Sequence, residues 1–286
     1  MKCPFIVTYS FTRICNLKCR HCYSNGGKMG EHELSPDKAR DVVKQVADAG
    51  SRIIIFDGGE PLMREDIFEL IRFAKSLGLT TVLGTNGTLI TPSAADKLLD
   101  AGLDHCAVSI DGSTPQTHEW LRGVEGCFEK AINGARLIRK AGIPLQINAC
   151  LHSRNQNELQ DIIRLAESLK ADAVQLFLYV RAGRGSQDVM PPSLSPDVFE
   201  NIESSIAIRL IGTILQKGSR CCAAADKVCC ILNDGTVYPC MLLPISLGNV
   251  TQSTLSDIWN NSPIIMKINE SKKGKFEGME LCRVWK

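Results

Sequence analysis

Six times over the first two-thirds of the chain, a short and almost wholly apolar run gives way to a stretch whose apolar residues recur every three or four positions. The runs lie at 5–9, 53–56, 80–83, 105–110, 145–150 and 173–180, and apolar residues throughout are what parallel strands covered on both faces require. The intervening stretches carry helix punctuation. Ser35-Pro36 and Thr91-Pro92 place a capping hydroxyl ahead of a proline at the first helical position. Gly50, Gly78, Gly102 and Gly142 stand where helices end in a left-handed residue. Ile67, Leu70, Ile71, Ala74 and Leu77 share one helical face, as do Leu159, Ile162, Ile163 and Ala166. Repeated strand–helix units with right-handed crossovers build a parallel sheet or barrel. Six units rather than eight predict an α/β fold, a partial (β/α)6 TIM-like barrel open on one side.

The chain has 286 residues, which suits one such barrel with a small appendage. The barrel is expected over 1–195. After the loop Arg181-Ala182-Gly183-Arg184-Gly185, a linker helix begun by Ser195-Pro196 opens a second unit over 196–286. With 44% hydrophobic and 22% charged residues a real core can form. Thirty-three Lys and Arg against 31 Asp and Glu leave no electrostatic footprint for nucleic acid. No apolar run is long enough to span a bilayer, and Met1-Lys2-Cys3-Pro4-Phe5 enters a strand without a signal sequence. The expectation is a soluble, cytoplasmic protein with no nucleic-acid or membrane partner.

Thirteen cysteines are the abnormal number. An odd count and no export signal argue against a disulfide scaffold. Cys3, Cys106, Cys127 and Cys150 are scattered through apolar surroundings as small buried hydrophobes, and the other nine gather near the two ends of the chain. Cys15-x3-Cys19-x2-Cys22-Tyr23 follows the first strand, at the end where α/β folds place their chemistry. Positions 15, 19 and 22 would share one face of a buried helix, but Asn16, Lys18, Arg20 and His21 between them suit no such helix. A zinc site with His21 as fourth ligand would need adjacent ligands, His21 and Cys22, on one tetrahedral ion. A cubane fits better, because three thiolates hold three irons and leave the fourth open.

This spacing, on the first strand of a six-unit barrel, resembles the radical S-adenosylmethionine (radical SAM) superfamily. The resemblance implies that Cys15, Cys19 and Cys22 hold a [4Fe–4S] cluster whose open iron is chelated by SAM. One electron then cleaves SAM to methionine and a 5′-deoxyadenosyl radical, which takes a hydrogen atom from the substrate. Asp57-Gly58-Gly59-Glu60-Pro61 is similar to the superfamily motif that receives the SAM amino group. There Gly58 and Gly59 would let the backbone approach closely and Glu60 would accept from the ammonium. By the same resemblance Asn86 and Ser109 are contacts for the ribose or carboxylate of SAM. Tyr23 would either stack near the adenine or close the cluster loop, Arg122 would either pair with a carboxylate at the site or stand as a solvated loop arginine, and Asp111 would order its own loop. No catalytic side chain is assigned.

Cys222-x6-Cys229-x10-Cys240 brackets a turn at Asn233-Asp234-Gly235, which brings thiolates from two arms side by side. With Leu247-Gly248-Asn249-Val250 and Ile258-Trp259, this segment resembles the SPASM/twitch extension of radical SAM enzymes. The resemblance implies an auxiliary [4Fe–4S] cluster on Cys222, Cys229, Cys240 and Cys282, with Cys221 and Cys230 left open. Trp285 stands where a further cysteine is expected, so the module reads as truncated and a second auxiliary cluster lacks ligands.

Within the superfamily the chain looks most like two branches. One contains the enzymes of alternative haem and d1-haem formation, which cut propionates from a tetrapyrrole, and Arg122, Arg181 and Arg184 are candidates to receive those propionates. The other contains peptide maturases, for which no peptide-binding module precedes Cys3. The reading leans to the tetrapyrrole, with a flavodoxin or ferredoxin as electron donor. Molybdopterin-type nucleotide cyclisation ranks lower, on its different cysteine pattern. The alternative from another class is a non-catalytic iron–sulfur carrier or sensor, which would not require the motifs at the ends of the second, third and fourth strands.

Overall fold

A computed structural model describes residues 3–27, 33–185, 202–211 and 224–273, together with 189, 191 and 193. The six expected strands form β1 (Ile6–Thr12), β2 (Ile53–Gly58), β3 (Thr80–Thr85), β4 (His105–Ser109), β5 (Leu145–Leu151) and β6 (Ala173–Leu178). They pair in sequence order, each parallel to the next. Helices α1 (Pro36–Asp48), α2 (Ile67–Ser76), α3 (Pro92–Asp100), α4 (Pro115–Arg122), α5 (Cys127–Lys140) and α6 (Leu159–Ser168) lie between them. Ser35 and Thr91 cap α1 and α3 as their sequence context requires, and Thr114 ahead of Pro115 caps α4 in the same way.

Strand alternation divides the sheet into two faces. Val7, Tyr9 and Phe11 of β1 and Ile54 and Phe56 of β2 pack in the core with Val42, Val43 and Val46 of α1 and Ile67, Leu70 and Ile71 of α2. Thr8, Ser10 and Thr12 of β1 and Asp57 of β2 take the opposite, inner face, where Ser10 Oγ donates to Asp57 Oδ1 at 2.7 Å. The apolar outer face supplies the stability, and the polar inner face is left for chemistry.

Beyond β6, β7 (Ala207–Ile211) adds a further parallel strand, in a stretch expected to follow the start of the linker helix. The helix expected from Ser195-Pro196 lies outside the described residues. From the C-terminal region, β8 (Val228–Leu232) pairs parallel to β1 over five residues, Ile6↔Val228 to Ser10↔Leu232. Antiparallel β9 (Thr236–Tyr238) and β10 (Gly248–Asn249) follow. The result is one ten-stranded sheet with β10 and β7 at its edges, crossing the expected 195/196 boundary on both sides.

Helices α7 (Leu255–Asn261) and α8 (Pro263–Lys273) complete the described chain. Gln45 of α1 locks the two regions together. Its Nε2 donates to Val250 O at 2.9 Å and its Oε1 accepts from Leu255 N at 3.0 Å. Gln45→Ala leaves both backbone groups unmatched, so anaerobic urea unfolding should show a loss of about 1–3 kcal/mol.

Candidate active site

Residues 13–27 run from the end of β1 without a helix or a strand and carry Cys15, Cys19 and Cys22. The loop keeps its course because three other segments hydrogen-bond its backbone and a fourth holds the side chain of Asn16. After β2, Gly59 N donates to Thr12 O and Glu60 N to Ile14 O, both at 2.7 Å. At the end of α4, Leu121 O accepts from Arg20 N at 2.8 Å and Arg122 O from Lys18 N at 3.2 Å. After β6, Arg184 N donates to Cys22 O at 2.8 Å. After β3, Asn86 Nδ2 donates to Asn16 Oδ1 at 2.9 Å, and Thr88 Oγ1 accepts from Asn16 Nδ2 at 2.8 Å.

The three cysteines line one cavity of about 270 Å³ with Gly58, Gly59, Asn86, Ser109 and Arg122. Each sulfur has a donor beside it: Leu17 N at 3.5 Å from Cys15 Sγ, Arg122 Nη1 at 3.8 Å from Cys19 Sγ, and Gly26 N at 3.3 Å from Cys22 Sγ. Burial pushes the Cys15 thiol up to about 11 and raises Cys19 against the lowering charge of Arg122. At Cys22 burial also pushes upward, but hydrogen bonds from Ser24 and Gly26 and the Arg184 charge outweigh it, and its pKa falls. Among the described residues no three His, Cys, Asp or Glu groups converge on one metal ion. Three thiolates around one hollow, each with an N–H donor, suit a cubane, whose irons are ligated one sulfur apiece.

The two glycines are necessary for a contact inside the protein. A Cβ on Gly58, which has φ +128°, would lie 2.3 Å from Thr12 O, and one on Gly59 would lie 2.0 Å from Ile14 O. What they admit is the backbone of the cysteine loop itself. Glu60 is fully buried and stands outside the cavity lining. Its carboxylate accepts from Thr85 Oγ1 at 2.7 Å, Asn86 N at 2.8 Å and Leu62 N at 3.2 Å. The carboxylate thus braces β3 against β2.

Asn86 also spends its side chain within the protein: its Nδ2 donates to Asn16 of the cysteine loop and its Oδ1 accepts from Thr88 N and Oγ1. Tyr23 donates to Asp57 Oδ2 at 3.0 Å, and burial raises both pKa values. Arg122 is not a free cation: its Nε donates to Asp111 Oδ2 at 2.5 Å, and both residues are buried. That contact, with Cys150 N donating to Asp111 Oδ1 at 2.8 Å, holds the Asp111 carboxyl below its usual range against desolvation. His21 lines the cavity with its Nδ1 buried and unpartnered, and burial lowers its pKa to about 4. Asp57 and Ser10 were missed as site residues. The inward register of 53, 55 and 57 was the signal available for Asp57.

In the C-terminal region the β8 register separates two adjacent cysteines. Cys229 opposes Val7 and is buried in the helix-covered apolar core, whereas Cys230 opposes Thr8 on the inner face. The expected ligand Cys229 is thus turned away from the inner face, and its neighbour takes that place. Cys240 follows β9, and Met241 and Leu242 after it line the main cavity. Cys221, Cys222 and Cys282 lie outside the described residues.

A barrel whose first strand launches a three-cysteine loop into a hollow at the strand ends defines a class of enzyme, and the comparisons agree. The chain belongs to the radical SAM superfamily, whose family model matches residues 9–166. A second model, SPASM, an iron–sulfur cluster-binding domain, matches residues 221–284. The chain is similar to the AdoMet-dependent heme synthase of Methanosarcina barkeri, at 33% identity over 95% of this chain and 87% of the relative. It is also similar to the PqqA peptide cyclase of Rhizobium meliloti, at 31% identity over 98% of this chain and 79% of the relative. The crystal structure of Streptococcus suis SuiB bound to S-adenosylmethionine shares the fold, with TM-score 0.79 at 19% identity over 93% of this chain and 68% of that one. The protein is a radical SAM enzyme whose cofactors are a [4Fe–4S] cluster and SAM, with an auxiliary iron–sulfur module. No helix among the described residues is long and apolar enough to cross a membrane.

Gly59→Ala should displace the loop at Ile14 and leave the purified, reconstituted protein short of iron. Gly27→Ala, where an added Cβ meets nothing within 4 Å, should keep the wild-type iron content.

Proposed function

We propose that this enzyme acts on a carboxylate-bearing tetrapyrrole, removing or oxidising propionate side chains. The carrying observation is the 33% identity, across almost the whole chain, to an AdoMet-dependent heme synthase. The cavity supports the reading with Arg184 beside an apolar part of its lining that includes Phe177, Leu178, Met241 and Leu242. Such a wall suits the flat hydrocarbon of a macrocycle and keeps water from a reactive centre. The PqqA peptide cyclase relative favours a second reading, a peptide substrate.

Cys15, Cys19 and Cys22 hold the cluster in this proposal. When bound, it supplies the electron that cleaves SAM and so opens the route to hydrogen abstraction from the substrate. Gly58, Gly59, Tyr23, Asn86, Ser109 and Arg122 form the wall against which SAM is oriented, and Glu60 positions that wall from behind. Arg122, fixed by Asp111, sets a cation beside the Cys19 sulfur and stabilises its thiolate. Cys240 and Cys230, the latter in place of Cys229, are ligands of the auxiliary cluster, with Cys222 and Cys282 completing the proposed set. The barrel over 1–195 and the module over 196–286 divide these tasks. Thiolate sites of this kind belong in the reducing cytoplasm, with a flavodoxin or ferredoxin as donor.

Anaerobic turnover with dithionite, SAM, iron coproporphyrin III and an added one-electron acceptor should give 5′-deoxyadenosine, which takes one hydrogen atom of a propionate, together with a porphyrin in which that side chain has become vinyl by losing carbon dioxide and passing one electron to the acceptor. An unchanged porphyrin alongside 5′-deoxyadenosine would return the reading to a peptide. Replacing any one of Cys15, Cys19 or Cys22 by Ala should abolish 5′-deoxyadenosine, as chromatography will show. Cys230→Ala should lower iron per chain by about one cubane, while Cys229→Ala, a small change in an apolar core, should leave iron unchanged.

A further inference from the structure

We infer that Arg184 is a carboxylate-binding residue of the cavity, an assignment that rests on the radical SAM reading and sharpens it. The loop after β6 is laid directly on the cysteine loop. Arg184 N donates to Cys22 O at 2.8 Å, Arg184 Nε donates to Cys19 O at 3.0 Å, and Gly185 N closes a turn on Ala182 O at 2.9 Å. Gly183 makes the contact possible. It has φ +56°, and a Cβ there would stand 2.2 Å from Tyr23 O and 2.5 Å from Cys22 O.

Two hydrogen bonds therefore fix the main chain and the Nε of Arg184, and the residue lines the cavity. Its Nη1 and Nη2 make no hydrogen bond and no ion pair among the described residues. The other charged groups of the lining are spoken for. Arg122 and Asp111 neutralise one another at 2.5 Å, and Asp57, its pKa raised by burial, is held by Ser10 and Tyr23. Among the described residues the Arg184 charge faces no carboxylate partner, only the Cys22 sulfur whose pKa it lowers, and up to four N–H donors remain in a fixed fork, the geometry that receives a carboxylate bidentately. Because its anchor is the backbone of two of the three cysteines, a carboxylate bound there is held at a set place relative to the cluster.

Two carboxylates can meet this fork, that of SAM and that of the substrate, and binding measurements separate them. The reconstituted holoenzyme is compared with Arg184→Gln and Arg184→Lys at equal iron per chain, titrating SAM and, separately, iron coproporphyrin III and its tetramethyl ester. Loss of one charge-assisted fork weakens the affected ligand about tenfold to a hundredfold in Arg184→Gln, with Arg184→Lys in between. If the substrate is the source, the free-acid porphyrin weakens, SAM is unchanged, and the ester binds wild type and variant alike. If SAM is the source, SAM weakens instead. Wild-type affinity for both ligands in Arg184→Gln overturns the assignment and leaves Arg184 as a loop staple. Should the wild type not bind the porphyrin at all, the tetrapyrrole reading falls. SAM then decides the carboxylate assignment alone, unchanged SAM affinity overturning it.

Discussion

The course of a fifteen-residue loop without helix or strand governs the molecule. A peptide chain that folds against other groups must find partners for its N–H and C=O groups, and an irregular one cannot find them internally. Here the ends of β2, α4 and β6 supply them, through Glu60, Leu121, Arg122 and Arg184, while Asn86 after β3 holds the loop by the side chain of Asn16. The strand order places these four segments around one rim, so the barrel acts as a mould for the loop. Several residues that would be assigned to cofactor contact from sequence, Gly58, Gly59, Glu60 and Asn86, hold the mould together first.

Charge is arranged with the same economy. Arg122 and Asp111 form a buried pair that would be costly to break by removing one member, since the survivor would stay buried and uncompensated. Their pairing does more than preserve the fold, because the arginine's remaining reach ends at the Cys19 sulfur. Each of the three sulfurs has a different kind of neighbour, a backbone amide, a guanidinium, or an amide with a hydroxyl. Hydrogen bonding to the sulfurs is one of the terms that set a cluster's potential. The three corners of the site are therefore electrostatically unequal before any cofactor is bound.

Much of this was legible in the chain. The six strands, the proline-led helix starts and the three-cysteine loop follow from periodicity, capping chemistry and spacing, all of which are local. What was not legible depends on register. Cys229 and Cys230 are adjacent and chemically identical in sequence, and only the pairing of β8 with β1 decides which of them turns inward. Glu60 looked like a ligand because its tip chemistry suits an ammonium, whereas the fold delivers Thr85 and Asn86 to it from the next strand. The β7 strand escaped notice because it lies outside the strand–helix rhythm that identified the others.

Pairing between β8 and β1 also has a consequence for biosynthesis. The strand made first is completed on one side by β2, some forty residues later, but its other edge waits for residues 228–232, the last fifth of the chain. Until the ribosome has released that segment, the strand that leads into the cysteine loop shows an open row of backbone donors and acceptors, which is the kind of edge that recruits other chains. Protection of that edge is thus tied to the arrival of β8 and β9. A shortened product lacking them would endanger the amino-terminal site as well as its own.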